Sequence, residues 1–149
     1  MGQQQLLLIA LSVLIVGAAV AVGVNMFNEG SVKAENDKYF QRAATIATEY
    51  AKWYSEPLTM GGGGGDNTLF PSSDDERAEI LGVPFSVDSV ASGGLYVSAI
   101  TPASGADDPA TAGKTESLDY LNVTLSNESG NTGIFYALSN GRVHWQTRP

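Results

Sequence analysis

The sequence predicts an α+β fold: one long N-terminal helix packed on a small antiparallel β-sheet. Three observations predict it. Leu6 to Val24 holds no charged residue and is apolar on every face. The apolar character then narrows to a helical stripe that reaches Tyr54. From Phe85 onward, short β-rich runs alternate with Gly, Asn and Pro clusters. The order divides the chain into a hydrophobic helix (1–28), its amphipathic continuation (29–54), a glycine-rich connection with a short helix (55–83) and a sheet domain (84–149).

Nineteen residues from Leu6 to Val24 make roughly 29 Å of helix at about 1.5 Å each, close to the hydrocarbon thickness of a bilayer. A segment apolar on all sides cannot be the amphipathic core helix of an ordinary soluble domain. It must be surrounded by lipid or by copies of itself. Its second half is rich in small residues (Gly17, Ala18, Ala19, Ala21, Gly23), which allow helices to approach closely. It lacks a basic n-region and an A-x-A cleavage site, so it is not an ordinary secretory signal. Residues 1–28 carry no Lys or Arg, so the basic flank of a conventional anchor is missing as well.

After Asn25, Phe27, Val32, Tyr39, Ala43, Ile46, Tyr50 and Trp53 recur mostly at steps of three, four and seven, with Phe40, Ala44, Ala47, Ala51 and Tyr54 beside them. Charged residues occupy the opposite arc. Lys38 and Arg42 form a like-charge i,i+4 pair, so this face is not tuned for an isolated helix. No proline precedes Pro57, and one nearly continuous helix to about Tyr54 follows. Gly61–Gly65 then admits two readings, a mobile surface loop or a place where a neighbouring backbone comes very close. Ser73-Asp74-Asp75-Glu76 reads as a capping box opening a helix to about Leu81, with Gly82 as its C-terminal cap and Pro84 barring continuation. Strands are expected at Phe85–Val90, Leu95–Ile100, Leu118–Leu125, Ile134–Leu138 and Val143–Gln146. A turn is expected at Gly93-Gly94, a long loop at Thr101–Thr115, a turn at Asn127–Gly133 and a two-residue hairpin at Asn140-Gly141.

The 149 residues carry a net charge of −8, with every charge at or beyond Glu29. An acidic exposed part argues against nucleic acid as a partner. With no cysteine and one histidine, His144, there is neither a disulfide framework nor a zinc ligand set, and no metal or cofactor is expected. No G-x-S-x-G elbow accompanies that histidine, and the carboxylate pairs Asp74/Asp75 and Asp107/Asp108 sit in cap or loop contexts. No catalytic residue is assigned and no enzyme is expected. Asn122 and Asn127 begin N-glycosylation tripeptides. The helix aromatics read as core rather than as a stack for electron conduction.

An uncharged polar end, about 20 apolar residues with internal glycine, an unbroken helix and a loop-rich connection to a small sheet together resemble the type IV pilin-like family (type IV pilins, pseudopilins, archaeal pilins). The resemblance covers the full length as architecture, with sequence likeness confined to residues 1–28. It implies a structural subunit, the major pilin of an extracellular filament at the cell surface. The helix would anchor the subunit in the inner membrane, beside the pilus assembly machinery, before packing with its copies into a homopolymer. The implied assembly residues are Met1, Gln5, Leu6, Leu8, Val13, Val16, Gly17, Val20, Gly23 and Phe27.

The chain departs from the family pattern in three places. If Met1 is the first mature residue, the family's Glu at position five is replaced by Gln5, which can accept a hydrogen bond from a neighbour's amine without charge pairing. If processing follows Gly2, position five is Leu7. The family's proline near position 22 is replaced by Val22, and no cysteine pair closes the C-terminal region. Two rival readings stay open: a monomeric, single-span, surface-anchored binding or sensory domain, and a pseudopilin of a secretion system.

Overall fold

A computed structural model describes residues 2–85, 94–103 and 119–148. One helix, α1, runs from Gly2–Ser55. The sheet strands are β1 (Leu95–Ala103), β2 (Tyr120–Asn127), β3 (Thr132–Leu138) and β4 (Val143–Thr147). They lie in the order β1-β2-β3-β4 with every neighbouring pair antiparallel. A long N-terminal helix and a four-stranded antiparallel sheet are therefore the architecture, an α+β arrangement. The chain forms two compact units, Met1–Asp37 and Lys38–Pro149.

The first unit is helical throughout its described residues, and no residue of α1 before Tyr39 is buried. The Ser12 hydroxyl donates to the Ile9 carbonyl at 2.8 Å, so the one hydroxyl of the apolar stretch is satisfied within its own helix.

In the second unit the predicted stripe becomes the core. Tyr39, Ala43, Ile46, Ala47 and Tyr50 are fully buried and Trp53 nearly so. They pack with Val97 and Ile100 of β1, Leu121, Val123 and Leu125 of β2, and Phe135 and Ala137 of β3. Ala43 and Ala47 are small, which lets helix and sheet come close, while the rings fill the space on either side. Register keeps the apolar faces aligned, with Leu121 opposite Ala137 and Val123 opposite Phe135. In β1 the register shifts between Val97 and Ala99. The bulge resets the two-residue phase, so Val97 and Ile100, three apart, both face inward. Pro102 is tolerated because β1 is an edge strand.

Of the two readings of Gly61–Gly65, close approach is the one observed. The N–H groups of Gly63, Gly65 and Gly64 donate to the carbonyls of Trp53, Tyr54 and Glu56 at 2.8, 2.8 and 2.9 Å. The glycine run thus folds back and caps the open carbonyls at the end of α1. A Cβ on Gly62 would lie 2.2 Å from the Glu56 carbonyl oxygen, and one on Gly63 would lie 2.6 Å from the Trp53 ring. Single 3-10 turns at Leu58–Met60 and Asn67–Leu69 flank the run.

The second helix, α2 (Asp74–Ile80), lies where it is expected, but the capping box does not form. Ser73 is the N-cap residue, and its side chain makes no capping hydrogen bond. Arg77 fixes the helix instead. Its guanidinium donates to Asp74 Oδ1 at 2.9 Å, to the Ile100 carbonyl at 2.7 Å and to the Pro71 carbonyl. One half-buried cation therefore ties α2 to β1 and to its own entry loop. At the C-terminal end, Gly82 and Val83 donate to the carbonyls of Glu79 and Ala78, the closing turn expected of Gly82.

The β3–β4 connection differs from the expected two-residue turn. Leu138 N donates to the Arg142 carbonyl and Gly141 N to the Leu138 carbonyl, both at 2.9 Å. A two-residue type I′ turn needs positive φ at both central residues, and among the described residues only glycines, Gly141 included (φ +80°), have it. Ser139-Asn140-Gly141 is accordingly a three-residue loop. The expected turn Asn127–Gly133 is also shorter, since Asn127 ends β2 and Thr132 already starts β3. Met1, all of the expected strand Phe85–Val90 but Phe85, the Gly93 half of the first turn and most of the Thr101–Thr115 loop lie outside the described residues; Thr101–Ala103 belong to β1.

Candidate assembly surface

The expected assembly residues, Met1 apart, all lie on α1, and no tertiary contact gathers them. Leu6, Leu8, Val13, Val16, Val20 and Phe27 are 60% exposed or more. Gln5 is exposed too, and a Cβ added at Gly17 or Gly23 would meet nothing within 4 Å. What relates them is helical spacing. Val13, Val16, Val20, Gly23 and Phe27 recur at alternating steps of three and four, so they share one side of α1. The most apolar 18-residue window of this helix has a mean hydropathy of 2.8 with none of it buried, long and apolar enough to cross a membrane. Leaving some 20 apolar side chains in water would cost about 25 cal/mol per Å².

The polar residues of the second unit are largely engaged in holding the fold. Asn67 is buried, accepts from the Tyr50 hydroxyl at 3.0 Å and donates to the Ala103 carbonyl at 3.0 Å. It joins helix, loop and β1 at one point. Tyr39 donates to the Asn131 carbonyl at 2.8 Å, and Tyr54 to the Asp119 carboxylate at 3.0 Å. Burial, reinforced by the Asp119 charge, pushes the Tyr50 hydroxyl well above the usual tyrosine range. Tyr54 is raised as well, by desolvation and then by its hydrogen bond to Asp119. Asp66 is lowered because its carboxylate accepts from both the hydroxyl and the backbone N–H of Thr68.

Other sequence candidates find structural places, while Asp107 and Asp108 lie outside the described residues. Asp74 of the acidic turn pairs with Arg77. His144 stacks on Tyr136, ring centroids 6.2 Å apart. Asn122 is half-buried within β2, whereas Asn127 is only 7% exposed and its side-chain oxygen accepts from Asn131 N at 2.8 Å. Asn127 therefore closes the β2–β3 turn and presents little surface to a sugar transferase. Among the helix aromatics, Tyr50 and Trp53 both pack against Phe70, at 5.9 and 4.8 Å, and Phe40 packs edge-on to Trp145 at 5.1 Å. Phe27 is 77% exposed. This is core and flank packing, not one continuous stack.

One surface feature had only a faint sequence signal, the like-charge pair Lys38/Arg42. Lys38, Gln41, Arg42 and Thr45 on α1, with Gly94 and Leu95 at the start of β1, line an open groove of about 430 Å³. Compared with known protein families, characterised proteins and solved structures, the chain matches none.

Proposed function

We propose that this protein is the structural subunit of a type IV pilus-like filament, polymerising through the N-terminal part of α1. The observation that carries the reading is an exposed, charge-free helix segment that continues without a break into the helical residues that form the core of the sheet-bearing unit. A membrane holds such a segment before assembly, and the same segments of other copies hold it afterwards. Transfer from lipid to a bundle of copies yields little hydrophobic gain, so close packing at Gly17, Gly23 and their neighbours supplies specificity. Once the bundle is in water, the hydrophobic effect keeps it shut. Gln5 would accept from a neighbour's N-terminal amine.

The rival reading, a monomeric membrane-anchored domain, is supported by the same length and hydropathy and by nothing further. Shearing cells that produce the chain separates the two. The filament reading expects the chain in the sheared fraction as polymer visible by electron microscopy. Recovery of all of it as monomer from the membrane pellet would establish the rival.

A further inference from the structure

We infer that the groove lined by Lys38, Gln41, Arg42 and Thr45 receives the acidic first turn of α2 from a second copy of this chain. The inference rests on the filament reading for the crowding of copies, and on the sheet-bearing unit alone for its chemistry. That unit is strongly acidic, so copies brought together by their apolar helices repel one another through their surfaces. A contact between them needs a place where the sign inverts. Among the described residues, Lys52 lies 3.8 Å from Glu49 and Arg77 2.9 Å from Asp74. Lys38 and Arg42, by contrast, stand one helical turn apart on the same groove wall with no carboxylate in ion-pair range among the described residues. Opposite in sign, Asp75, Glu76 and Glu79 are exposed on α2, while Asp74 is taken by Arg77.

The two patches cannot meet within one copy. The groove lies at the Leu95 end of β1, whereas Arg77 ties α2 to Ile100. Five steps along the strand separate Leu95 from Ile100, roughly 17 Å at about 3.3 Å per residue. Two complementary patches at different places on one surface allow a heterologous contact, which propagates head to tail wherever its rotation does not close. That is the kind of contact a helical polymer requires. Its charges lie at the rim of an open groove, so it sets register and encounter more than affinity.

The absence of native cysteine makes the test clean. Full-length Gln41→Cys and Ser72→Cys copies, which keep every charge of both patches, are co-expressed and mildly oxidised in membranes and in sheared material. The expected result is a disulfide-linked heterodimer, severalfold above the yield from Lys52→Cys paired with Ser72→Cys. Lys38→Glu with Arg42→Glu in the Gln41→Cys copy should remove the excess. Adding Asp75→Lys and Glu76→Lys to the other copy should restore it. Filaments without excess heterodimer, and indifferent to charge reversal, overturn this contact and leave the filament reading standing. Excess heterodimer without filaments does the reverse, and absence of both overturns both.

Discussion

Asn67 shows how much of the sheet-bearing unit hangs on single polar side chains. Its amide accepts from Tyr50 and donates to Ala103, so its removal leaves a buried hydroxyl and a strand-end carbonyl without partners. Asn67→Ala is expected to destabilise this unit by about 3 kcal/mol. The fluorescence of Trp53 and Trp145, both within it, reports the unfolding midpoint of the full chain in detergent. The tyrosines set the alkaline limit. Folding holds the Tyr50 and Tyr54 hydroxyls above their usual range, so the folded state keeps protons that the unfolded chain releases near about pH 10. Their contribution is fully present below that pH and is lost as pH rises beyond it. Tyr50→Phe with Tyr54→Phe should lower stability at neutral pH, where hydrogen bonds to Asn67 and Asp119 are lost, yet flatten the alkaline decline. Unfolding midpoints compared at neutral and alkaline pH check both signs, and an unchanged slope would refute the assignment.

At the scale of elements, the glycine run is the least ordinary piece, and it separates two kinds of glycine requirement. Gly62 and Gly63 are needed because a Cβ would collide with Glu56 or with Trp53. Gly61 has a positive φ but open space around it. Gly63→Ala is therefore expected to cost about 1–3 kcal/mol through overpacking against Trp53, and Gly61→Ala about 1–2 kcal/mol through backbone strain alone. Only the first should also shift the Trp fluorescence of the folded state. Elements whose signal is local periodicity were legible in the sequence: α1 was expected to end near Tyr54 and ends at Ser55, and a strand was expected at Leu118–Leu125, where β2 turns Leu121, Val123 and Leu125 into the core. What was not legible depends on partners distant in sequence. Arg77 reads as an ordinary helix charge until Ile100 is brought to it, and Ser73 loses its capping role although its motif is complete. The β1 bulge and the three-residue hairpin likewise follow from sheet register, which no local motif encodes. The first half of α1 was legible as an apolar segment long enough to cross a membrane.

Considered whole, the molecule has a unit that folds on itself and a helical segment ahead of it that buries nothing of its own. No residue of α1 before Tyr39 is buried, and Val13 is 67% exposed. Sites without shared partners behave additively, so a change at Val13 has no route to the core built by Tyr39, Tyr50 and Phe135. Val13→Asp should therefore separate the two properties. A carboxylate near the middle of the apolar segment costs about 2.5–3.5 kcal/mol in a bilayer, and in a bundle of copies it would be buried among residues 6–28, which hold no Lys or Arg to meet it. Polymer in the sheared fraction should be lost, while the Trp-reported unfolding midpoint of the detergent-solubilised chain stays within about 0.5 kcal/mol of the parent, the range of an ordinary surface substitution. Electron microscopy and the unfolding curve are read on the same preparation. Intact filaments would show that residues 6–24 are not the buried axis of the assembly. A lowered midpoint would show that the helix and the sheet-bearing unit are coupled in a way the exposure of Val13 gives no reason to expect. Either outcome bears on the same point, whether the apolar helix serves the subunit or only its neighbours.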